Sequence, residues 1–369
     1  MNKYIKFLAI PAMALTLAAC ADTDGDGEGQ FVWEGSENPE HSAYRNPVWE
    51  PSLAGGTVFK AASNYVGFSQ ETQWAAGLDY PVPAIQSADL MKWSTNQQAF
   101  TYTTSKLDEE ADTMIVTKGS YPEWVTGRIT SVSADFCRTI AGANYWMIYA
   151  SDEDNAFGAA TAAAGPGPYT DLGQFISAET LGVTTLRHPS FAVVQQVNYY
   201  LGYTTEEGSY LQALTLRRGA LPTLKGAPVK VSGTEFEDVI VYRSNAGKFY
   251  LFGTVTTGGK SEIRYGMSTK VTGPFVDKNG AELTDGASLG ELLVTDADLY
   301  VNPCNPMRMF ESENGYFYLA YNATMAGNET MPSGFKRQPL FINPVETDDD
   351  GWFTTVLAPK VGWTAPRFE

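Results

Sequence analysis

The chain has 369 residues, with 42 acidic against 25 basic side chains, and a net charge of −17 at neutral pH. That balance argues against nucleic acid or anionic lipid as a surface partner, because phosphate binding needs a cationic face, and it is compatible with a neutral ligand such as a glycan. Hydrophobic residues make up 43% of the chain, enough for a large core, and only three cysteines and two histidines occur, so neither a disulfide framework nor a zinc site is signalled.

In chain order, residues 1–20 read as a leader outside the fold. Lys3 and Lys6 supply the positive end, Phe7 to Ala19 the apolar run, and Leu17-Ala18-Ala19-Cys20 a lipoprotein cleavage box. Cys20 is the expected lipidated N-terminus, which places the protein at a bacterial outer membrane, on the cell surface or on its periplasmic face, held by that lipid alone. Residues 21–43 form an acidic tether and lead-in. Asp22, Asp24, Asp26 and Gly27 mimic the start of an EF-hand loop, but the twelfth position is Trp33 where a bidentate Glu is needed. A flexible spacer is the better reading. The stretch resembles the acidic export tag of Bacteroidetes surface lipoproteins.

Beyond the tether, one plan recurs. Phe236-Glu237-Asp238 opens an apolar run, Val239-Ile240-Val241-Tyr242, which turns at Ser244-Asn245-Ala246-Gly247 and returns as Lys248-Phe249-Tyr250-Leu251-Phe252. Two β-rich runs joined by a short Asn/Gly turn predict a hairpin. Elsewhere a polar anchor likewise precedes an aromatic strand by roughly ten residues. Glu50-Pro51-Ser52 leads to Val58-Phe59-Lys60, Ala134-Asp135-Phe136 to Tyr145-Trp146-Met147, His188-Pro189-Ser190 to Tyr199-Tyr200-Leu201, and Asn305-Pro306-Met307 to Tyr316-Phe317-Tyr318. Five such units over residues 44–369 predict an all-β fold, a five-bladed β-propeller of four-stranded antiparallel blades around a central channel. The five anchors are then expected to converge on one mouth of that channel, since each first strand lines it.

Short phrases close the units: Ser87-Ala88-Asp89-Leu90-Met91-Lys92-Trp93 in the first, Gly167-Pro168-Tyr169-Thr170-Asp171 in the second and Gly273-Pro274-Phe275 in the fourth. Together with the blade spacing, these phrases resemble the five-bladed propellers of glycoside hydrolase family 43, over roughly residues 44 to 360. The resemblance implies hydrolysis by inversion, in which a general acid protonates the leaving oxygen and a general base activates water across the ring. It also implies an Asp at the first blade as base, an Asp at the second as modulator and a Glu at the fourth as acid. The matching positions are Glu50, Asp135 and Glu237, with Glu235 the alternative acid. Glu50 is one methylene longer than the Asp it replaces. The family's Trp-Ala-Pro-Asp reads here Val132-Ser133-Ala134-Asp135, its Glu-Gly-Pro reads Glu237-Asp238-Val239, its third-blade Asp-Pro reads His188-Pro189, and its fifth-blade His is matched by Asn305.

His188 and Asn305 are counted as substrate-binding positions, although His188 also reads as a structural histidine. Trp49, Trp74 and Trp124 sit in loops or strand entrances, where an indole can stack on a sugar face. No metal site and no required cofactor are expected, and a structural calcium in the channel is the one ion the resemblance allows. Cys137 and Cys304 have no telling spacing. The expected protein is a monomeric, lipid-anchored hydrolase of arabinan- or xylan-type polysaccharide. A glycan-binding lipoprotein of a polysaccharide-utilisation system that has lost catalysis is the rival from a second class, and a protein-interaction propeller is the third.

Overall fold

The computed structural model describes residues 43–44 and 46–354, apart from 109, 139, 141, 143, 298–299 and 313–314, and then 356–357 and 363–364. The leader with Cys20, the Asp22–Gly27 stretch and His41 lie outside the described residues. Strands dominate, and the only helix among the described residues is the single turn Ala178–Leu181.

Five antiparallel sheets carry most of the strands among the described residues. Blade 1 is Thr57–Ala61, Asn64–Phe68, Pro83–Ser87 and Ser94–Gln98; blade 2 is Ser131–Phe136, Tyr145–Ser151, Ala156–Ala162 and Thr170–Ser177. Blade 3 is Arg187–Val194, Asn198–Thr205, Gly208–Thr215 and Thr223–Ser232, and blade 4 is Phe236–Arg243, Phe249–Thr257, Lys260–Ser268 and Glu291–Thr295. Blade 5 has Tyr300–Glu311, Phe317–Met325 and Leu340–Val345, and its fourth ribbon comes from the other end of the domain. There Val48 N donates to Leu340 O (2.9 Å), Leu340 N to Trp49 O (3.1 Å), and the Asn46 side chain bonds both backbone groups of Ile342 at 3.0 Å. Each first strand touches the first strands of the two neighbouring blades, and blade 5 returns to blade 1, so the ring is closed.

The hairpin predicted from Phe236 onward is present, with Gly247 at φ +85° in its turn. Its neighbours follow the same logic, but the second and third strands of blade 2 are buried on both faces and therefore read as continuous apolar runs, not alternating ones. Every residue of Tyr145–Ser151 and Ala156–Ala162 is buried. Small residues in the second of these strands make room for rings from the first and from the loop before it: a Cβ on Gly158 would lie 2.5 Å from both Tyr149 Oη and Trp124 Cζ2. The buried core divides into five clusters, one at each interface between neighbouring blades. Rings such as Phe59, Trp146, Phe236, Phe252 and Tyr321 are fully buried there, and each contributes about 2 kcal/mol of transfer free energy.

The closing phrases lie on the face where second and fourth strands begin. Asp89 Oδ1 accepts the amides of Met91 and Lys92, both at 2.8 Å, and the Ser87 hydroxyl at 3.0 Å, while Trp93 Nε1 donates to Leu90 O. Tyr169 and Phe275 plug the core under blades 2 and 4. The opposite face, where inner strands begin, carries the long loops and the candidate site.

Candidate active site

Three inner strands are bulged just inside the mouth. Between Arg187 and Ser190, and again between Glu237 and Ile240, the strand spends one more residue than its partner. The inner strand of blade 5 slips further, spending two more residues than its partner between Cys304 and Arg308. A bulge re-aims the side chains around it. The residues that absorb the distortion are His188 (φ +54°), Asp238 (+51°) and Asn305 (+47°), all in the left-handed region that non-glycine residues seldom adopt. Gly55 (φ +57°) holds the equivalent place before blade 1. These residues line one small pocket at the mouth, with Gly56, Ser131, Ser133 and Ser190.

The bulged residues form a chain of bonds around the mouth. His188 Nδ1 lies 2.6 Å from Asp238 Oδ1, and Thr254 Oγ1 donates to Asp238 Oδ2 at 3.1 Å. The Asn305 amide N donates to Thr254 Oγ1 at 2.8 Å, and its side chain donates to Asn322 Oδ1 (2.9 Å) and Gly56 O (3.3 Å). Beside this pair runs a second one, Arg187 Nη2 to Glu237 Oε1 at 3.6 Å, more open to solvent. Burial favours a neutral imidazole at His188, but the charge and hydrogen bond of Asp238, then Glu237 and Asp152, outweigh it and raise its pKa above the ordinary histidine value. Burial likewise opposes ionisation of Asp238. His188, the Thr254 hydroxyl and Lys336 outweigh that burial, so its pKa is lowered.

Of the predicted catalytic carboxylates, Glu237 stands at this mouth. Asp135 does not. It lies four residues beyond Ser131 on the inner strand of blade 2, about 13 Å further down the channel at 3.3 Å per residue. There it is buried and bonds Arg308 Nη1 of blade 5 at 2.8 Å, across the channel between blades that are not neighbours. The anchor before the aromatic strand fell at the far end of the inner strand because eight residues, 137–144, join the first strand of blade 2 to its second, against three, 195–197, in blade 3 and five, 244–248, in blade 4. Glu50 is at the rim. It leaves the outermost ribbon of blade 5, three strand spacings or about 14 Å from the inner strand, and meets Arg337 at 3.5 Å. The five anchors therefore do not converge: His188, Glu237 and Asn305 reach the mouth, and Glu50 and Asp135 stand apart from it.

The predicted indoles divide similarly. Trp124 is wedged into the interface of blades 1 and 2, stacked on Tyr149 at 5.6 Å with Nε1 donating to Tyr149 Oη at 2.9 Å, so it packs where a free platform was expected. Trp49 and Trp74 stand 5.4 Å apart, with Tyr80 a further 5.2 Å from Trp74, as a part-exposed aromatic group near the rim. Cys137 and Cys304 are free thiols, and burial pushes the Cys304 pKa up to about 12.

Sequence reasoning missed Asp238 as a site residue, although it shares with His188 and Asn305 the position just before Pro189, Val239 and Pro306. That phase is the signal that could have found it. It also missed the first blade's true entrance, Ala54-Gly55-Gly56. A Cβ on Gly55 would lie 2.5 Å from Thr130 O, and one on Gly56 would lie 2.0 Å from Phe68 O, so no acidic side chain fits at either position. Glu71, nearby and buried, accepts the hydroxyls of Tyr102 and Tyr121 at 2.6 Å each and is fully engaged. No group of three or more His, Cys, Asp or Glu among the described residues could hold a metal. Asn305, where the family's ion-proximal His was expected, spends its side chain on Gly56 and Asn322.

A closed ring of five antiparallel blades, with charged side chains gathered where the inner strands begin, defines a propeller built to present one polar mouth. The description Glycosyl hydrolases family 43 matches residues 44–353, and the chain belongs to that family of glycosidases. Among solved structures, the Cellvibrio cellulosa alpha-L-arabinanase complexed with arabinohexaose is similar, with TM-score 0.62 and 17% identity over 82% of this chain and 94% of that one. The endo-arabinanase of Bacillus licheniformis gives 0.59 and 20% over 83% and 98%. An exo-1,5-alpha-L-arabinanase from a bovine ruminal metagenomic library gives 0.59 and 17% over 82% and 96%. At these identities the likeness carries the fold. No curated protein sequence matches the chain.

Proposed function

We propose that this glycosidase hydrolyses a pentose-containing glycan of the arabinan or xylan type, by inversion, at the mouth where the inner strands begin, and that Glu237 is its catalytic carboxylate. The observation that carries this is the placement of Glu237: it opens the inner strand of blade 4, keeps a half-exposed carboxylate, and is flanked by Arg187 and the His188–Asp238 pair. Arabinanases among the similar structures support the substrate class. The acidic surface suits a neutral polysaccharide.

One observation favours a second reading, a glycan-binding protein without turnover. The first blade's entrance is Gly55-Gly56 and has no room for a carboxylate, so a pair of carboxyls about 6.5–9.5 Å apart across a water cannot be completed from there. Hydrolysis of arabinan, xylan, arabinoxylan and aryl pentosides by the chain without residues 1–20, beside Glu237→Gln, separates the two. Sugar release that the variant lowers by about 1,000-fold or more supports the enzyme. Retention of arabinan on an affinity gel with no release by either protein supports the binder.

A further inference from the structure

We propose that the lower half of the central channel is a binding site for a small carboxylate, separate from the mouth and independent of the glycosidase reading above. Thr57, Ser133, Ser190, Ile240 and Met307 line the mouth pocket and also the top of a second cavity beneath it. That cavity has a volume of about 180 Å³ and reaches the ends of the inner strands at Gln195 and Arg243. It is several times the space one water needs. Its charged lining is Arg243 of blade 4 and Arg308 of blade 5.

These two guanidiniums are unequally engaged. Arg308 Nη1 donates to Asp135 Oδ2 at 2.8 Å, and Asp135 Oδ1 accepts the Phe136 amide, also at 2.8 Å, so the aspartate is consumed while it fixes the guanidinium across the axis. The Asp135 side chain is 7% exposed and that of Arg308 35%, so Arg308 keeps N–H groups open in the cavity it lines. Arg243 has the ring of Phe249, 5.9 Å to the centroid, and forms no ion pair among the described residues. Glu311, at the end of the inner strand of blade 5, is spent on the Tyr242 hydroxyl and the Asn245 amide. Lys60, over the ring of Tyr65, and Arg138, bonded to Gln196 at 2.8 Å, add two cations at this end of the channel. In a chain of net charge −17 that is a local cationic excess, and the walls of a channel focus its field.

Charge and shape select the ligand. Two lining guanidiniums against one aspartate leave one uncompensated positive charge, which a monoanion neutralises; a phosphate dianion would meet Asp135 with charge to spare. The open edge of a guanidinium matches a carboxylate with two parallel N–H···O bonds. Gln195 and Thr57 in the lining suit the hydroxyls of a sugar acid.

The test is calorimetric titration of the full chain with D-glucuronate, beside D-xylose as a neutral sugar and inorganic phosphate as a different oxyanion. Saturable uptake of D-glucuronate is expected, with no uptake of D-xylose. Arg243→Gln should weaken binding by about 10-fold or more. Asp135→Asn should tighten it by about threefold or more, because Asn keeps a bond to Arg308 and removes the competing charge. Loss of fold would move both variants the same way, so the opposite signs isolate a binding role. Lys336→Ala, which removes a cation acting on Asp238 at the mouth, should leave binding unchanged. The assignment is overturned by an absence of D-glucuronate uptake, by a loss in Lys336→Ala that Arg243→Gln does not show, or by phosphate binding as tight as that of D-glucuronate.

Discussion

At the scale of single residues, the mouth shows how one backbone device decides which side chains matter. A strand normally sends successive side chains to opposite faces. The extra residue at 188–189 and at 238–239 breaks that alternation and lays two ion pairs side by side, Arg187 with Glu237 and His188 with Asp238. The second pair makes stability depend on pH in a definite window. His188 has a raised pKa in the folded protein, so its contribution is full below the unfolded histidine value and is lost as pH rises through the folded one. Asp238 has a lowered pKa, so its contribution is full above the unfolded aspartate value and is lost as pH falls through the folded one. The pair should therefore stabilise most between about pH 4 and 6.5, the two unfolded reference values. Urea denaturation of the parent and of His188→Asn should differ most near pH 5.5, and the gap should shrink by pH 9; a gap that widened toward pH 9 would contradict the ion pair.

Among elements, the hairpin of Thr104–Asp108 and Thr113–Thr117 stands out because it takes no part in any blade. All five residues of its second strand are exposed, including Met114, Ile115 and Val116, and Leu107 faces solvent opposite. Two strands without a packed face contribute little stability of their own. Replacing residues 104–117 by a short Gly/Ser turn should shift the melting temperature by no more than about 3 °C, since the five interface clusters remain intact. A fall of more than about 10 °C would mean that the hairpin supports the loop carrying Tyr121 and Trp124, both of which pack into the cluster between blades 1 and 2. That loop also sends Arg128 onto the ring of Phe335, 4.7 Å to the centroid, reaching from the approach to blade 2 to the blade 5 loop.

For the whole molecule, the decisive contact is the closure of the ring. A propeller blade buries its faces only against neighbours, so an open ring would expose two interfaces at once. Residues 46–49 prevent this by completing blade 5, and Asn46 anchors them through Ile342 and through Asn343 Oδ1 at 2.5 Å. Asn46→Ala is expected to cost about 2 kcal/mol in chemical denaturation, because it leaves backbone and side-chain groups of the third strand of blade 5 without partners. An unchanged midpoint would place the strength of the closure in the Val48 and Trp49 backbone bonds instead.

The sequence by itself determined the architecture, because the information for a blade is local. The turn at Asn245-Ala246-Gly247, the apolar runs of Tyr145–Ser151 and Phe249–Thr257, and the phrases around Asp89, Tyr169 and Phe275 each specify a hairpin or its closure within a few tens of residues. Repetition of that plan gave five units. It also placed Glu237, His188 and Asn305 near strand starts, since an X-Pro or Glu-Asp pair just ahead of an apolar run marks where an inner strand begins. What the tertiary structure decided is the site. Whether an anchor lies at the near or far end of its strand depends on how many residues join the first strand to the second, eight in blade 2 against three in blade 3, which is why Asp135 fell down the channel. Glu50 landed on the rim because the segment before it was recruited to close blade 5, nearly three hundred residues away in the chain. The vacancy for an acid at Gly55 and Gly56, the partnership of Asp238 with His188, and the reach of Arg308 across the axis arise from contacts between blades. Side chains that meet only after the ring closes leave no spacing in the sequence to be read.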